Sequence, residues 1–485
     1  MARFNSKKIP KFETQRTTNL AGGPAFTQSW KEELVSLLLT SMVQDQFYRS
    51  ADLGIDRLSQ LVAASGSECK FVGKAGIYAR NEFGLRSITH VLSYLIGTSC
   101  KGYEWTKNYF EQIVRRPDDM TEILSLVLKN KGPIPNAMKK GFAAALQKMD
   151  LYQLGKYQQG GKAVKLVDIV NLVHPKNTGA IHALVQGNIQ VNTWETQLSA
   201  AGQQPADNRE AAKAQAWSDL LKTKKLGYMA LLKNLRNIAQ TGTEDVVDQA
   251  CRQLIDEKAI KKSLVFPFRF VTAYDEVAKA ALTTANRRML TAAIDKAAEI
   301  SLKNVPIFKG STLVVMDQSG SMNTAVGTST AAKVGGLFAA MLWKSNVDCD
   351  VITFGTRANY VGEKLRNDGL LNLAAHLGES NQGGTDFSQP FVVANRAYDR
   401  IIILSDMQGW MDSRTPFDGT FHAYQKKFKC HPHLYSFDLC GYGSLQFPED
   451  RVYLLAGFSD KIFDVMKLLE TDRNALIKKI EAVAL

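Results

Sequence analysis

The chain changes character once, at Val305–Pro306, and that change limits the folds open to it. Before it, apolar residues recur at helical spacing. Leu34, Leu37, Leu38 and Ser41–Met42 share one face at i, i+3, i+4. Similar stretches cover 53–64, 68–81, 86–97, 104–115, 119–130 and 134–148, then 163–173, 178–186, 209–221, 225–240, 243–256 and 275–301. Breaks such as Ser65-Gly66-Ser67 and Lys131-Gly132-Pro133 separate them. After the change, strand-length runs appear: Ser311–Met316, Cys349–Phe354, Arg400–Leu404, His433–Leu439 and Val452–Ala456. Helical patterns at Ala331–Ser345, Phe391–Ala397 and Lys461–Glu470 alternate with them.

The spacing predicts a two-part chain. At 485 residues it is too long for one ordinary core. An extended arm is expected over 1–28, where Gly22, Gly23 and Pro24 stand and no period persists. A run of short antiparallel helices follows over 29–305, too many for one bundle and suited to a helical-repeat array, although no exact repeat is visible. Residues 306–485 are expected to form an α/β domain with a doubly wound parallel sheet. Ligands of such sheets bind beyond the C-terminal ends of the strands.

Charge divides at the same place. Of 60 Lys and Arg and 47 Asp and Glu, residues 306–485 hold 18 and 19, leaving 42 and 28 in residues 1–305. The helical part therefore carries a net +14 and the α/β part −1. A polyanion, most simply nucleic acid, fits that asymmetry, as does a basic and well-solvated helical surface. No run is apolar enough to span a bilayer, and Met1–Pro10 has Arg3, Lys7 and Lys8 but no apolar stretch behind them. Six cysteines form no C-x-x-C pair and no disulfide scaffold, which points to a reducing, cytoplasmic compartment. Cys430, His431, His433 and Cys440 have a zinc-like spacing, but His433 opens a strand and His431 flanks Pro432, so four converging ligands are not expected.

Three segments are expected on one edge of the sheet: Asp317-Gln318-Ser319-Gly320-Ser321 past the first strand, Gly383-Gly384-Thr385-Asp386 ahead of a helix, and Ser405-Asp406 past the RIIIL strand. Alone, D-x-S-x-S is equally an Asx-turn capping a helix. Together the segments present carboxylate and hydroxyl oxygens, a hard ligand set suited to Mg²⁺ or Mn²⁺. The set resembles the metal-ion-dependent adhesion site of von Willebrand factor A domains. The resemblance implies that Ser319, Ser321 and Thr385 coordinate a divalent cation directly and that Asp317 and Asp406 act largely through water. An open position would take an oxygen of a partner. A phosphoaspartate mechanism needs a second carboxylate two residues after Asp317, where Ser319 stands.

The helical part, followed directly by an A domain, resembles the Ro ribonucleoprotein family, whose helical portion is the TROVE domain. The likeness is carried by Tyr78–His90 (YARNEFGLRSITH), Ile134–Phe142 (IPNAMKKGF), and Lys156-Tyr157-Gln158 leading to Leu166–Lys176 (LVDIVNLVHPK). A bacterial or phage-type relative is expected. The resemblance implies HEAT-like repeats closed into a monomeric ring by the A domain. It also implies small noncoding Y-like RNA on a basic outer face and single-stranded ends of misfolded RNA in the central hole. Bacterial members work with exoribonucleases in RNA quality control. Lys156 and His174 match family residues at the Y RNA surface. The family arginine after the lysine is absent here, where Gln158-Gln159-Gly160-Gly161 stands, with Lys162 and Lys165 as substitutes. Lys139 and Lys140, opening a helix after Pro135, are further candidates, each equally a solvated helix residue. Arg80 and Arg86, with Asn81 and His90, either touch phosphates or pair with Glu82.

No P-loop, G-x-G-x-x-G, H-E-x-x-H or catalytic triad appears, so a binding module is expected rather than an enzyme. Two other readings stay open: a metal-dependent adaptor between proteins, and a metal-dependent nuclease or phosphatase.

Overall fold

The computed structural model describes residues 16–18, 24–26, 29–40, 51–157, 163–326, 329–408, 417–440, 451–456, 462–471 and 474–485. Most of the expected arm over 1–28 lies outside them; within it, Arg16–Thr18 and Pro24–Phe26 pair as two short antiparallel strands.

From Trp30 to Ser301 the described chain is helical. Helices pack on sequence neighbours, as Trp194–Gly202 does on Ala206–Lys222, and on the next but one, as Trp105–Ile113 does on Asn136–Leu146 and Ser87–Ser99 on Pro117–Lys129. In Tyr228–Thr241, Leu231, Leu232, Leu235, Ile238 and Ala239 are buried at 3.6-residue spacing. Sequence periodicity missed three short helices, Leu151–Tyr157, Trp194–Gly202 and Glu257–Ser263. It also merged two others: the expected helix over 275–301 is Phe268–Lys279 and Thr284–Ser301. Thr283 starts the second by accepting a bond from Asn286 N at 3.2 Å.

The C-terminal part holds a six-stranded sheet. Its strands are β1 (Thr312–Asp317), β2 (Cys349–Phe354), β3 (Ala358–Tyr360), β4 (Arg400–Ser405), β5 (His433–Asp438) and β6 (Val452–Ala456). Their spatial order is β3-β2-β1-β4-β5-β6. The sheet is mixed rather than parallel throughout, because β3 returns antiparallel to β2 at the edge. Alternate residues of the central strands enter two cores. Val314, Met316, Ile402 and Leu404 face the helices Ala331–Ser345 and Ile462–Thr471. Leu313, Val315, Ile401 and Ile403 face Phe387, Phe391 and Phe421 on the other side. Such two-sided burial is why these strands read as unbroken apolar runs. Gly336 lets two helices of this domain touch, since a Cβ there would meet Gly378 N at 2.3 Å. Helix Leu370–Leu377 fills this contact, and the segment expected as a helix over 391–397 is instead Gln389–Val393.

Both ends of the helical run touch the α/β part. At the start, Ser36 Oγ donates to Leu454 O of β6 at 3.1 Å, and Gln112 Nε2 donates to Ala484 O at 3.1 Å. At the finish, Leu370 N donates to Glu299 Oε1 at 2.6 Å, and Phe266 stacks on Phe463 with centroids 6.2 Å apart. Aromatic pairs of this kind contribute about 0.5–1.5 kcal/mol beyond area burial. Among the described residues, no helix is long and apolar enough to cross a membrane.

Candidate metal centre and nucleic-acid surface

The strand order reverses direction between β1 and β4, which makes that point the expected ligand crevice of the sheet. Asp317 ends β1, and Ser405 ends β4 with Asp406 next to it. Asp317, Ser319, Thr385 and Asp406 are all buried, while Ser321 is exposed at the mouth. Asp317 Oδ1 accepts from Ser319 N at 2.8 Å and Oδ2 from Ser405 Oγ at 2.6 Å. Ser319 Oγ and Ser321 Oγ lie 3.1 Å apart. Burial, opposed by the hydrogen bonds of Ser319 and Ser405 and aided by the nearby Asp406 charge, pushes the Asp317 carboxyl up to about 7. Burial also raises Asp406, against a hydrogen bond from Ser321.

The third segment is pinned to the first. Gly320 N donates to Gly383 O at 2.9 Å, Gln382 N to Gln318 O at 3.0 Å, and Gln382 Nε2 to Gln318 Oε1 at 2.6 Å. Ser380 Oγ bonds Ser319 O. Asp386 faces its own turn, accepting from Ser388 N at 2.9 Å and from Gln389 Nε2 at 2.8 Å. Thr385 Oγ1, in contrast, is buried with no hydrogen-bond partner among the described residues. An orphaned buried hydroxyl costs about 1–3 kcal/mol unless something occupies its lone pairs. Together with two buried carboxylates and the serine pair, it makes a donor set that fits a hard divalent cation. Gln382 and Ser380 were not legible as contributors; they and Gln318 hold a ligand loop in place, and Ser405 holds the Asp317 carboxylate.

Lys139, Lys140, Lys156, Lys165 and His174 lie on or at the ends of helices Asn136–Leu146, Leu151–Tyr157 and Leu166–Val173; the first and third touch each other, and Pro117–Lys129 touches the second and third. Lys139 and Lys140 are the fourth and fifth residues of Asn136–Leu146, half-buried and exposed respectively. Lys156 closes Leu151–Tyr157, with its ammonium 6.0 Å from the Tyr157 ring. The same ring carries the Arg116 guanidinium at 4.6 Å, an arginine the sequence pattern did not single out. Lys165 and His174 stand at opposite ends of Leu166–Val173, both exposed. His174 ends that helix in the left-handed conformation, φ 47°, which turns the chain toward Pro175. Lys162 lies outside the described residues.

Arg80 and Arg86 pair with the carboxylates of Asp118 and Asp119. Neither pairs with Glu82. Arg80, 6% exposed, donates to Asp119 Oδ2 at 2.7 Å. Arg86 donates to Asp119 Oδ1 at 3.1 Å and to Asp118 Oδ2 at 2.8 Å, and His90 Nε2 reaches Asp119 Oδ1 at 2.9 Å. Backbone N–H groups of Arg115 and Arg116 also donate to Asp119, at 3.0 and 2.9 Å. Burial opposes ionisation of Asp119, but the His90 and Arg80 bonds and charges outweigh it and hold the carboxyl far below its usual range. The cluster is a buried brace between helices, and Arg80 has no surface to offer a phosphate.

Comparison with known proteins assigns the two halves. A family model described as the TROVE domain matches residues 189–305, and one described as the Ro60 vWA domain matches residues 311–469. The chain belongs to the Ro ribonucleoprotein family. A solved structure, the Deinococcus radiodurans RO (RSR) protein, is similar over 93% of this Ro-family chain and 99% of that one, with a TM-score of 0.64 and 16% identity, a likeness of fold. Telomerase protein component 1 of Mus musculus is 36% identical over 88 residues, and that of Rattus norvegicus 37% over 86. The Ro-family chain spans only 3% of the length of these curated relatives. The TROVE match begins beyond Lys156 and His174, so their assignment rests on the sequence likeness of their own segment.

Proposed function

We propose that this Ro-family chain is an RNA-binding protein of RNA quality control, in which the helical part holds RNA and the A domain docks a protein. The observation that carries this reading is that the charge boundary and the fold boundary coincide: residues 1–305 hold all the excess positive charge, and the α/β part is near neutral. Phosphate contacts made by Lys139, Lys140, Lys156, Lys165 and His174 supply the affinity for a small Y-like RNA. The contacts that both ends of the helical run make with the A domain support closure into a monomeric ring, whose hole takes the single-stranded ends of misfolded RNA. The orphaned Thr385 hydroxyl supports a Mg²⁺ or Mn²⁺ ion held with Asp317, Ser319, Ser321 and Asp406. When bound, the ion supplies an electrophilic position for a partner oxygen, and an exoribonuclease is the partner class the family suggests. The compartment we assign is the cytoplasm, and no catalytic step is assigned.

Crosslinking RNA to the protein in cells and sequencing what remains bound tests the reading. A small structured RNA together with fragments bearing single-stranded ends is expected. Protein that carries no extractable RNA would instead favour an adaptor working through the cation site alone.

A further inference from the structure

The cation centre occupies the C-terminal edge of the sheet. At the opposite edge, roughly 17 Å away along a six-residue strand, the segments leading into β1, β4, β5 and β6 enclose an open cleft of about 600 Å³. Lys309, Lys429 and Arg451 line it, and all three are exposed. Two carboxylates also line it, but both are engaged within the protein. Asp399 Oδ2 accepts from Ser311 N at 2.8 Å and from Ser311 Oγ at 3.0 Å. Glu470 is gripped by the buried Arg400, whose Nη2 lies 2.7 Å from Oε2. Among the described residues, no carboxylate pairs with Lys309, Lys429 or Arg451, and Lys309, Arg400, Lys429 and Arg451 against Asp399 and Glu470 leave the lining net positive.

The cations are presented from fixed turns. Gly310, after Lys309, has φ +82°, and a Cβ there would strike Asp399 Oδ2 at 2.5 Å, so this turn lies directly on Asp399. Lys429 is itself left-handed, φ 51°, an uncommon state for a residue with a side chain. Arg451 Nη1 donates to His431 O at 2.9 Å, which holds the guanidinium at the rim; among the described residues no other bond of its N–H groups occurs.

Two ammonium groups and a guanidinium on the lining of one cleft, opposed by the single carboxylate of Asp399, match a phosphate, whose oxygens accept several charge-assisted bonds at once. The cleft is far larger than a phosphate ion and falls within the range of small-molecule sites, about 300–1,000 Å³. We propose that this edge of the A domain binds a phosphate group carried on a nucleotide-sized ligand. The near-neutral domain is thereby polar in its layout, with a cation centre at one end of the strands and an anion cleft at the other.

The test uses the full chain. Lysines are acetylated with an amine-reactive reagent and mapped by mass spectrometry, with inorganic phosphate, adenosine monophosphate, a 5′-phosphorylated RNA oligonucleotide, or adenosine as the uncharged control. Binding of adenosine monophosphate is measured in parallel by calorimetry. Lys309 and Lys429 should be protected about threefold or more by the phosphorylated compounds and not by adenosine. The variant Lys309→Ala/Lys429→Ala should bind adenosine monophosphate about tenfold more weakly, and Lys309→Arg/Lys429→Arg should recover most of the loss. Stronger protection by the mononucleotide assigns a free nucleotide as ligand, and stronger protection by the oligonucleotide assigns an RNA end; either keeps phosphate as the group recognised. Equal labelling of both lysines with and without the phosphorylated compounds, or undiminished binding by the alanine variant, would overturn the proposal.

Discussion

Ser405 donates its hydroxyl to Asp317 Oδ2 at 2.6 Å, joining the last residues of two neighbouring parallel strands across the point where the sheet reverses its order. With the Ser319 N bond on Oδ1, this fixes both oxygens of a buried carboxylate. Ser405→Ala should leave the fold intact and lower Mg²⁺ affinity about tenfold, the usual scale for losing a group that orients a ligand. Isothermal titration of the variant against the parent protein measures it; equal affinities would show that Ser405 does not position the site.

Thr385→Val separates a ligand from a structural residue. The Thr385 hydroxyl is buried without a partner among the described residues, so replacing it by a methyl group removes an uncompensated polar atom. Without divalent cation the variant should be as stable as the parent or about 1 kcal/mol more so. The rise in melting temperature that saturating Mg²⁺ gives the parent should shrink or vanish. Thermal scans with Mg²⁺ and with a chelator read both effects.

Asp119→Ala should destabilise the helical part by about 3–5 kcal/mol, because Arg80 is left charged and buried beside it. The pH dependence has a defined sign. Asp119 is held below its unfolded value of about 3.9. Its stabilisation is therefore complete above that value and is lost as pH falls toward the depressed folded value. Denaturant midpoints measured from pH 6 down to pH 3 should fall for the parent protein, and more shallowly for Asp119→Ala.

RNA binding should weaken steeply with salt, since counterion release from phosphate contacts dominates such affinity. Lys156→Ala and Lys165→Ala should each lower affinity and reduce the salt slope by about one unit. Arg80→Ala should act on stability rather than on that slope. Segment 306–485 alone, with its net charge of −1, should not shift RNA in a gel. A shift by that segment would mean that the two halves share the RNA.

Short-range pattern in the sequence determined the two-part architecture, five of the six strands of the large sheet and where the candidate cation ligands lie. Helical and strand periods are local, and D-x-S-x-S directly after a buried apolar run can lie only at the C-terminal end of that strand. The edge strand Ala358–Tyr360 escaped because three residues carry no period, and Glu257–Ser263 escaped because it has only one fully buried residue. Tertiary structure alone decided which charges meet. Arg80 found Asp119, 39 positions away, instead of the adjacent Glu82, because buried ions are tolerated only when a partner and further donors converge on them. Lys309, Lys429 and Arg451 are likewise unremarkable in sequence and share a cleft only because parallel strands bring their starting ends to one edge. Sequence fixes what each segment buries; the packing of distant segments sets where the leftover charge collects.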